Sequence, residues 1–279
     1  MAEITAQAVK ALRDETSLPM MECKSALSEA EGDHGLAVEI LRKRGLSTAA
    51  KRSGRETSEG LIAVHITATA ASMVELRCES APVAKNEIFS GLAEALAETL
   101  SGDNSITDPE TLLKKSDPRN TSQILEDAFA DAKNQLRENM TLSRIGRWEG
   151  VLAGYVHHDG RQAAVIQVDQ APSDDQILRQ ICMHIVSLRP VAASQAEIDP
   201  TLVAKEREIL SEQARATGKP EQVIEKIVEG RMRNFFAERV LPEQAFALDS
   251  SKTVGEVLND AGVKLESFVR WELGESTAT

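Results

Sequence analysis

The chain repeats itself. Glu59-Gly60-Leu61-Ile62-Ala63 is answered by Glu149-Gly150-Val151-Leu152-Ala153, an offset of 90 residues. The same offset sets Val74-Glu75-Leu76 against Ala164-Val165-Ile166 and Ala81-Pro82 against Ala171-Pro172. Each copy reads as two strands, a short loop and a helix, with β-branched apolar runs bounded by turn residues. A chain that uses such a unit twice is expected to fold into two related subdomains. The strand-to-helix loop is where units of this kind carry function. In the first copy that loop is Ser80-Ala81-Pro82-Val83, within the stretch from Glu75 to Lys85.

In the first unit Leu61, Ala63, Val64 and Ile66 mark one strand and Met73 to Cys78 the next. Ala84 to Leu100 predicts a helix with Ile88, Leu92, Ala95, Leu96 and Thr99 along one stripe. The polar stretch from Ser101 to Asn120 reads as loop with short helical pieces, and Ile124 to Glu138 as a further helix. In the second unit Gly150 to His157 and Gln162 to Val168 are strands, and Asp159-Gly160 suits a two-residue hairpin turn between them. Ser173 opens a helix that reaches Leu188, and the alternating Phe268 to Leu273 completes the second sheet.

Two other modules flank or interrupt the repeat. Residues 3–45 predict three short helices, with Ala8, Leu12, Cys23, Ala26, Leu27, Ala30, Leu36, Ile40 and Leu41 at helical spacing. Thr16, Ser17 and Pro19 are placed to cap and begin the second helix, and Gly45 to stop the third. Ser47 to Ser58 has linker composition. Asp199-Pro200 opens a helix that Gly218 ends, and Pro220 starts another that runs to Val240. Leu202, Ile209, Leu210 and Ala214 would face Val223, Ile227, Val228 and Met232, an antiparallel hairpin whose remaining apolar face favours a partner or a self-contact. The fold class expected is therefore α+β. The division is 1–55 (helical module and linker), 56–140 (first core subdomain) and 141–279 (second core subdomain, with a hairpin inserted at 198–240).

Composition closes several doors. No apolar run approaches the roughly 18 residues that span a bilayer, and Met-Ala-Glu-Ile-Thr at the start lacks the basic and apolar regions of a signal peptide. Three widely spaced cysteines, Cys23, Cys78 and Cys182, are no disulfide framework, so a reducing cytoplasmic setting is expected. A net charge of −12 disfavours nucleic acid and anionic membrane as partners. Against that background, Arg42 to Arg55 holds six basic residues and no acidic one, which fits either a solvated helix end or a dock for an acidic partner. Phosphate-binding, dinucleotide, nucleophile-elbow and zinc-protease motifs are absent. His157-His158-Asp159 reads as hairpin surface and Cys182 as a small buried group, leaving a metal-dependent enzyme little support. Met20-Met21 suits core and partner contact equally well.

Several stretches together resemble the elongation factor Ts family. They are Leu12-Arg13-Asp14-Glu15-Thr16 with Met20 to Leu27, Glu75 to Glu79 with Val83-Ala84-Lys85-Asn86, and Arg147 to Gly154. Met183-His184, Gly218-Lys219-Pro220, Val228 to Met232 and Ser251 to Val254 also fit. The resemblance implies a ubiquitin-associated-like (UBA-like) three-helix domain, a core of two related subdomains, and an inserted coiled-coil hairpin. It also implies a guanine nucleotide exchange factor, with no cofactor, no metal and no bond-making chemistry of its own. The partner would be the translational GTPase elongation factor Tu, GDP-bound and nucleotide-free. Ser80, Ala81, Pro82 and Val83 would approach its magnesium and phosphate site, Arg13, Met20 and Met21 its nucleotide domain, and His184 with its helix would belong to a second contact surface. The hairpin at 198–240 would mediate a homodimer or steady the complex.

Two departures stand out. The family carries Thr-Asp-Phe-Val where this chain has Ser80-Ala81-Pro82-Val83, and glycines where it has Ser17 and Pro19. The altered loop keeps a second reading open, a paralogue that binds the GTPase without exchanging its nucleotide efficiently.

Overall fold

The computed structural model describes residues 4–16 and 18–275. Its order begins with α1 (Ala6–Thr16), α2 (Met20–Glu29) and α3 (His34–Arg52). The first core unit follows: β1 (Glu59–Ile66), β2 (Ala70–Cys78), α4 (Ala81–Ala84), α5 (Glu87–Gly102), α6 (Pro109–Leu113), β3 (Ser116–Asp117), β4 (Asn120–Ile124), α7 (Leu125–Leu136) and β5 (Met140–Glu149). The second has β6 (Val151–Val156), β7 (Gln162–Val168) and α8 (Asp175–Leu188). The hairpin α9 (Pro200–Arg215) and α10 (Glu221–Arg239) comes next, then β8 (Ala245–Phe246), β9 (Asp249–Thr253), α11 (Val254–Asp260) and β10 (Leu265–Glu272).

The repeat runs further than a strand-strand-helix unit. Both sheets are three-stranded and antiparallel, in the orders β1-β2-β5 and β10-β7-β6, so the last strand of each unit returns to pair with its second. Between helix and last strand each unit also carries a two-stranded ribbon and a helix. Asp117 pairs with Asn120 in the first ribbon as Phe246 pairs with Asp249 in the second. The hairpin is an insertion into the second copy, rooted where Val191 and Ala192 donate to the Arg239 carbonyl and the Leu241 N–H donates to that of Ala192.

Strand alternation builds four layers. On β1 and β2, Leu61, Ala63, Val74, Leu76 and Cys78 face α5 and α7, while Ile62, Met73 and Ala71 face the other sheet. On β7, Ala164, Ile166 and Val168 face α8 and α11, while Ala163 and Val165 look back at the first sheet. Helices therefore cover the two outer faces, and the sheets press their inner faces together around Trp148 and Trp271, edge to face at 6.1 Å. A three-stranded sheet with one covered face keeps an apolar inner face, so each unit completes the other.

A buried charge sits at the rim of this contact. Glu75, 2% exposed, lies on the inner face of β2 beside a register irregularity against β5. It receives Arg144 Nε at 2.5 Å and the Gly274 backbone N–H at 3.1 Å. Arg144 also donates to the Glu272 carbonyl at 2.6 Å and lies 4.3 Å over the Trp271 ring. One ion pair thus ties the first sheet to the chain end that closes the second.

Several sequence expectations need correcting. The third helix does not stop at Gly45 but continues to Arg52, taking in half of the expected linker. Good helix formers at Ala49, Ala50, Lys51 and Arg52 extend it. Gly45 instead marks a close crossing, since a Cβ there would stand 2.1 Å from the Asn134 amide of α7. Thr16 closes α1 by bonding the Leu12 carbonyl, Pro19 begins α2, and Ser17 lies outside the described residues. Leu36 is exposed, while Val9, not expected there, is buried in the module's core. On α5, Ile88 faces solvent while Phe89 and Leu100 are buried, a rotation of the stripe that brings the ring under the sheet. The 158–161 connection is a four-residue loop, with pairing closed by His157 N–H to the Gln162 carbonyl. The Gly160 carbonyl takes the Ile62 N–H. The hairpin seam is made by Leu210, Ala214, Ile224, Val228, Met232 and Phe235, leaving Leu202, Ile209 and Val223 exposed.

Replacing Glu75 by Ala strands Arg144 in a buried site and orphans the Gly274 N–H. We expect a loss of about 3–5 kcal/mol in urea unfolding, the usual cost of breaking a buried pair from one side. A loss below about 1 kcal/mol would put the pair in the class of surface contacts.

Candidate functional site

The strand-to-helix connection of the first unit is not a loop but a single helical turn. Ser80, extended at φ −129°, precedes α4, with Pro82 inside its first turn. The Ala84 N–H bonds the Ser80 carbonyl at 3.2 Å, and the Asn86 N–H bonds that of Val83 at 2.9 Å. Asn86 then breaks the path and caps α5, its side chain accepting from the Ile88 N–H. Four residues are too few to hold a helical turn by themselves, so the support must come from elsewhere. Val83 is half-buried against the first core, while Ala81 and Pro82 stand in solvent. What the turn presents is a methyl group and a pyrrolidine ring. It carries neither charge nor aromatic surface.

Its base is held by the chain beyond α7. Cys78 and Met140 form the last backbone rung between β2 and β5. Past that rung Glu138 Oε2 takes the backbone N–H of both Glu79 and Ser80 at 3.0 Å, and Glu138 Oε1 takes the Ser80 hydroxyl. In return Glu79 Oε1 accepts the Asn139 N–H at 2.6 Å. The Asn139 amide donates to the Arg55 carbonyl at 2.7 Å and to that of Ser53 at 3.3 Å.

The next residue back carries the helical module. Arg137, left-handed at φ 61° where α7 ends, pairs with Glu22 on α2. Directly before Glu22 on α2, Met20 and Met21 are 51% and 73% exposed, which places them on the surface rather than in the module's core. Arg13 is exposed on the last turn of α1. Three consecutive residues, Arg137, Glu138 and Asn139, thus connect the methionine-bearing module, the apolar turn and the segment leading into β1. Sequence reading missed all three. The visible signal was a run of polar residues ending a helix directly before a strand.

Within the basic run, Arg42 pairs with Asp127, Arg44 with Glu29 and Arg55 with Glu79, all carboxylates of this chain.

His184 is placed unlike the other expected contact residues. It is 1% exposed, inside the second core, and so presents no ring to a partner. Its Nδ1 accepts the Ala247 N–H at 3.1 Å, which puts the ring proton on Nε2, donated to Gln244 Oε1 at 2.8 Å. Gln244 in turn donates to the Glu238 carbonyl, so His184 joins α8, the foot of α10 and the β8–β9 ribbon. Burial lowers its pKa from 6.5, outweighing the bond to Gln244, so the ring is neutral at pH 7.

The thiols near these elements are closed to chemistry. Burial first, and then the field of Glu138, pushes Cys78 up to about 11, and burial takes Cys182 to about 12. Among the described residues no group of three His, Cys, Asp or Glu side chains is placed to hold a metal. Among the same residues no helix is long and apolar enough to cross a membrane.

Residues 79–275 match the family model described as Elongation factor TS, a match that begins at the base of the apolar turn. The chain is 40% identical over 285 residues to elongation factor Ts of Hyphomonas neptunium, covering 99% of this chain and 93% of that one. With elongation factor Ts of Gluconobacter oxydans it is 41% identical over 286 residues, again 99% and 93% of the two chains. With that of Rhodospirillum rubrum it is 39% identical over 293 residues, 99% and 94%. Fold and comparisons define a translation elongation factor, a protein of biosynthesis. The chain belongs to the elongation factor Ts family.

The state of His184 has a consequence in pH. Below 6.5 the unfolded chain takes a proton that the folded site resists, so stability present above that pH is lost as pH falls through and beneath it. The urea midpoint is expected to drop between pH 7.5 and 5.5, and His184→Gln, which has no titrating group, should flatten part of that drop. Identical slopes for the two proteins would show that the buried imidazole does not contribute.

Proposed function

We propose that this chain binds elongation factor Tu in its GDP-bound form and promotes exchange of GDP for GTP by disturbing the partner's magnesium and phosphate site. The observation that carries this reading is the rigid apolar turn at Ala81 and Pro82, linked through Arg137 and Glu138 to exposed Met20 and Met21. Two projections held in fixed relation suit two neighbouring faces of one partner. Ser80 to Val83 enter near the phosphates, Arg13, Met20 and Met21 rest on the nucleotide domain, and the surface that His184 supports engages a second region. The working units are 1–55, 56–140 and 141–279, with the hairpin at 198–240 free to make a self-contact through Leu202, Ile209 and Val223. The setting is cytoplasmic, and neither nucleic acid nor membrane takes part.

No bond is made or broken by the factor. It prefers the nucleotide-free partner to the GDP-bound one, and linkage then obliges GDP to bind less tightly to the complex. A coupling of about 3 kcal/mol corresponds to roughly 150-fold in affinity. Ala81 and Pro82 also favour a second reading, because a family member normally offers a carboxylate and an aromatic ring there. Without them the chain could hold the GTPase and leave its nucleotide in place.

Release of labelled GDP from the cognate GTPase separates the two. Acceleration by catalytic amounts of the factor supports exchange; complex formation with release at the spontaneous rate supports binding alone. In the exchange case, Ala81→Asp with Pro82→Phe should alter the maximal release rate more than the affinity of the complex. An unchanged rate would move the disturbance away from this turn, for example to the helical module.

A further inference from the structure

We infer that Glu138 is the positioning residue of the exchange turn, acting through the backbone of Glu79 and Ser80. The inference rests on the exchange reading for its consequence, but its geometry stands independently. Antiparallel pairing of β2 and β5 ends at Cys78 and Met140. Beyond that rung the two chains separate, and side-chain carboxylates take over the bonding that carbonyls perform in a ladder. Glu138 accepts from Glu79 N and Ser80 N at 3.0 Å, and Glu79 accepts from Asn139 N at 2.6 Å. The exchange is reciprocal between segments 58 to 60 residues apart in sequence.

The alternatives for these donors are poor. Ser80 precedes α4 without capping it, and its hydroxyl is used on Glu138 instead. The cation nearest in sequence, Arg137, is turned to Glu22 of the helical module. Glu138 therefore spends both oxygens on the start of the turn, and the direction in which Ala81 and Pro82 project is set there. The rest of the turn is fixed by Val83 against the core and by Asn86 capping α5. Removing the carboxylate takes three bonds from the start of a four-residue helix, leaving there the Asn139 N–H on Glu79 and the Cys78 thiol on the Ser80 carbonyl, while its far end stays anchored. The turn would then swing rather than unfold. A wedge that swings still docks, but delivers less of its binding energy to the nucleotide site.

This separates Glu138 from residues that merely stabilise the fold. Glu138→Ala should raise hydrogen exchange at the amides of Glu79, Ser80 and Ala84, with the protection of β1 and β7 unchanged. With the cognate GTPase, the maximal GDP release rate should fall by about tenfold while the half-saturating factor concentration stays within about twofold. Glu138→Gln keeps an oxygen for both N–H groups and lets the serine hydroxyl accept instead, so it should restore most of the rate. Unchanged exchange at Glu79 and Ser80 in the Ala variant would overturn the inference, whatever the GTPase does. So would a parallel loss of rate and affinity, or a Gln variant as slow as the Ala variant. If the unaltered factor fails to speed GDP release, the exchange reading fails, and the amide measurement still decides whether Glu138 holds the turn.

Discussion

Two small sheets, each with one face covered by its own helices, can only be stable if their remaining faces meet. The contact around Ile62, Met73, Val165, Trp148 and Trp271 is therefore the condition for everything else in the core. It explains why the chain carries two copies of one unit. It also explains the placement of the buried charge, because Glu75 and Arg144 lie where the inner faces run out and where the end of β10 must be fastened. A buried pair of this kind is costly to break from one side, although two well-packed apolar groups would serve stability about as well.

The apolar turn follows from the same geometry. A strand paired on both sides cannot bend until its partner leaves, and β2 is the central strand of its sheet. Its release point is Cys78 against Met140, and the chain projects there because the antiparallel β1 and β5 both begin opposite Cys78 and offer no pairing beyond it. The second copy has an Ala171-Pro172 at the corresponding place, but no helical turn forms before α8. Among the described residues the corner of the second unit carries one arm of such a clamp, Asp169 accepting the Lys264 N–H at 2.7 Å, while ion pairs from the N-terminal helices run to the first unit. Duplication supplied the frame, and one corner of one copy became a presented surface.

Much of this was legible in the chain. The strands, the long helices and the hairpin follow from periodicity and turn residues, and the repeat returns as two three-stranded antiparallel sheets. What escaped reading was decided by long-range contact. β5 is a ten-residue strand of mixed polarity whose side chains are mostly half-buried, so alternation hardly marks it. The ribbons at Ser116–Ile124 and Ala245–Thr253 are too short and polar to announce themselves. Gly45 looked like a stop and is a crossing point, because nothing local shows that Asn134 lies against it. His184 looked like surface because its motif is recognisable, whereas its burial depends on Gln244 and Ala247, some sixty residues on. The polar clamp at 137–139 shows locally only as polar residues between a helix and a strand, which says nothing of the partners it holds.

The central claim is that the Ala81–Pro82 turn and the methionines of α2 engage one partner together, close to its nucleotide. A photoreactive benzoylphenylalanine placed at position 82, and separately at position 21, tests this in the complex with the nucleotide-free GTPase. Both positions should cross-link to the nucleotide domain of the same partner, with position 82 marking the segments that bind phosphate and magnesium. Cross-links from position 82 confined to another domain, or none at all while position 21 reacts, would contradict the account.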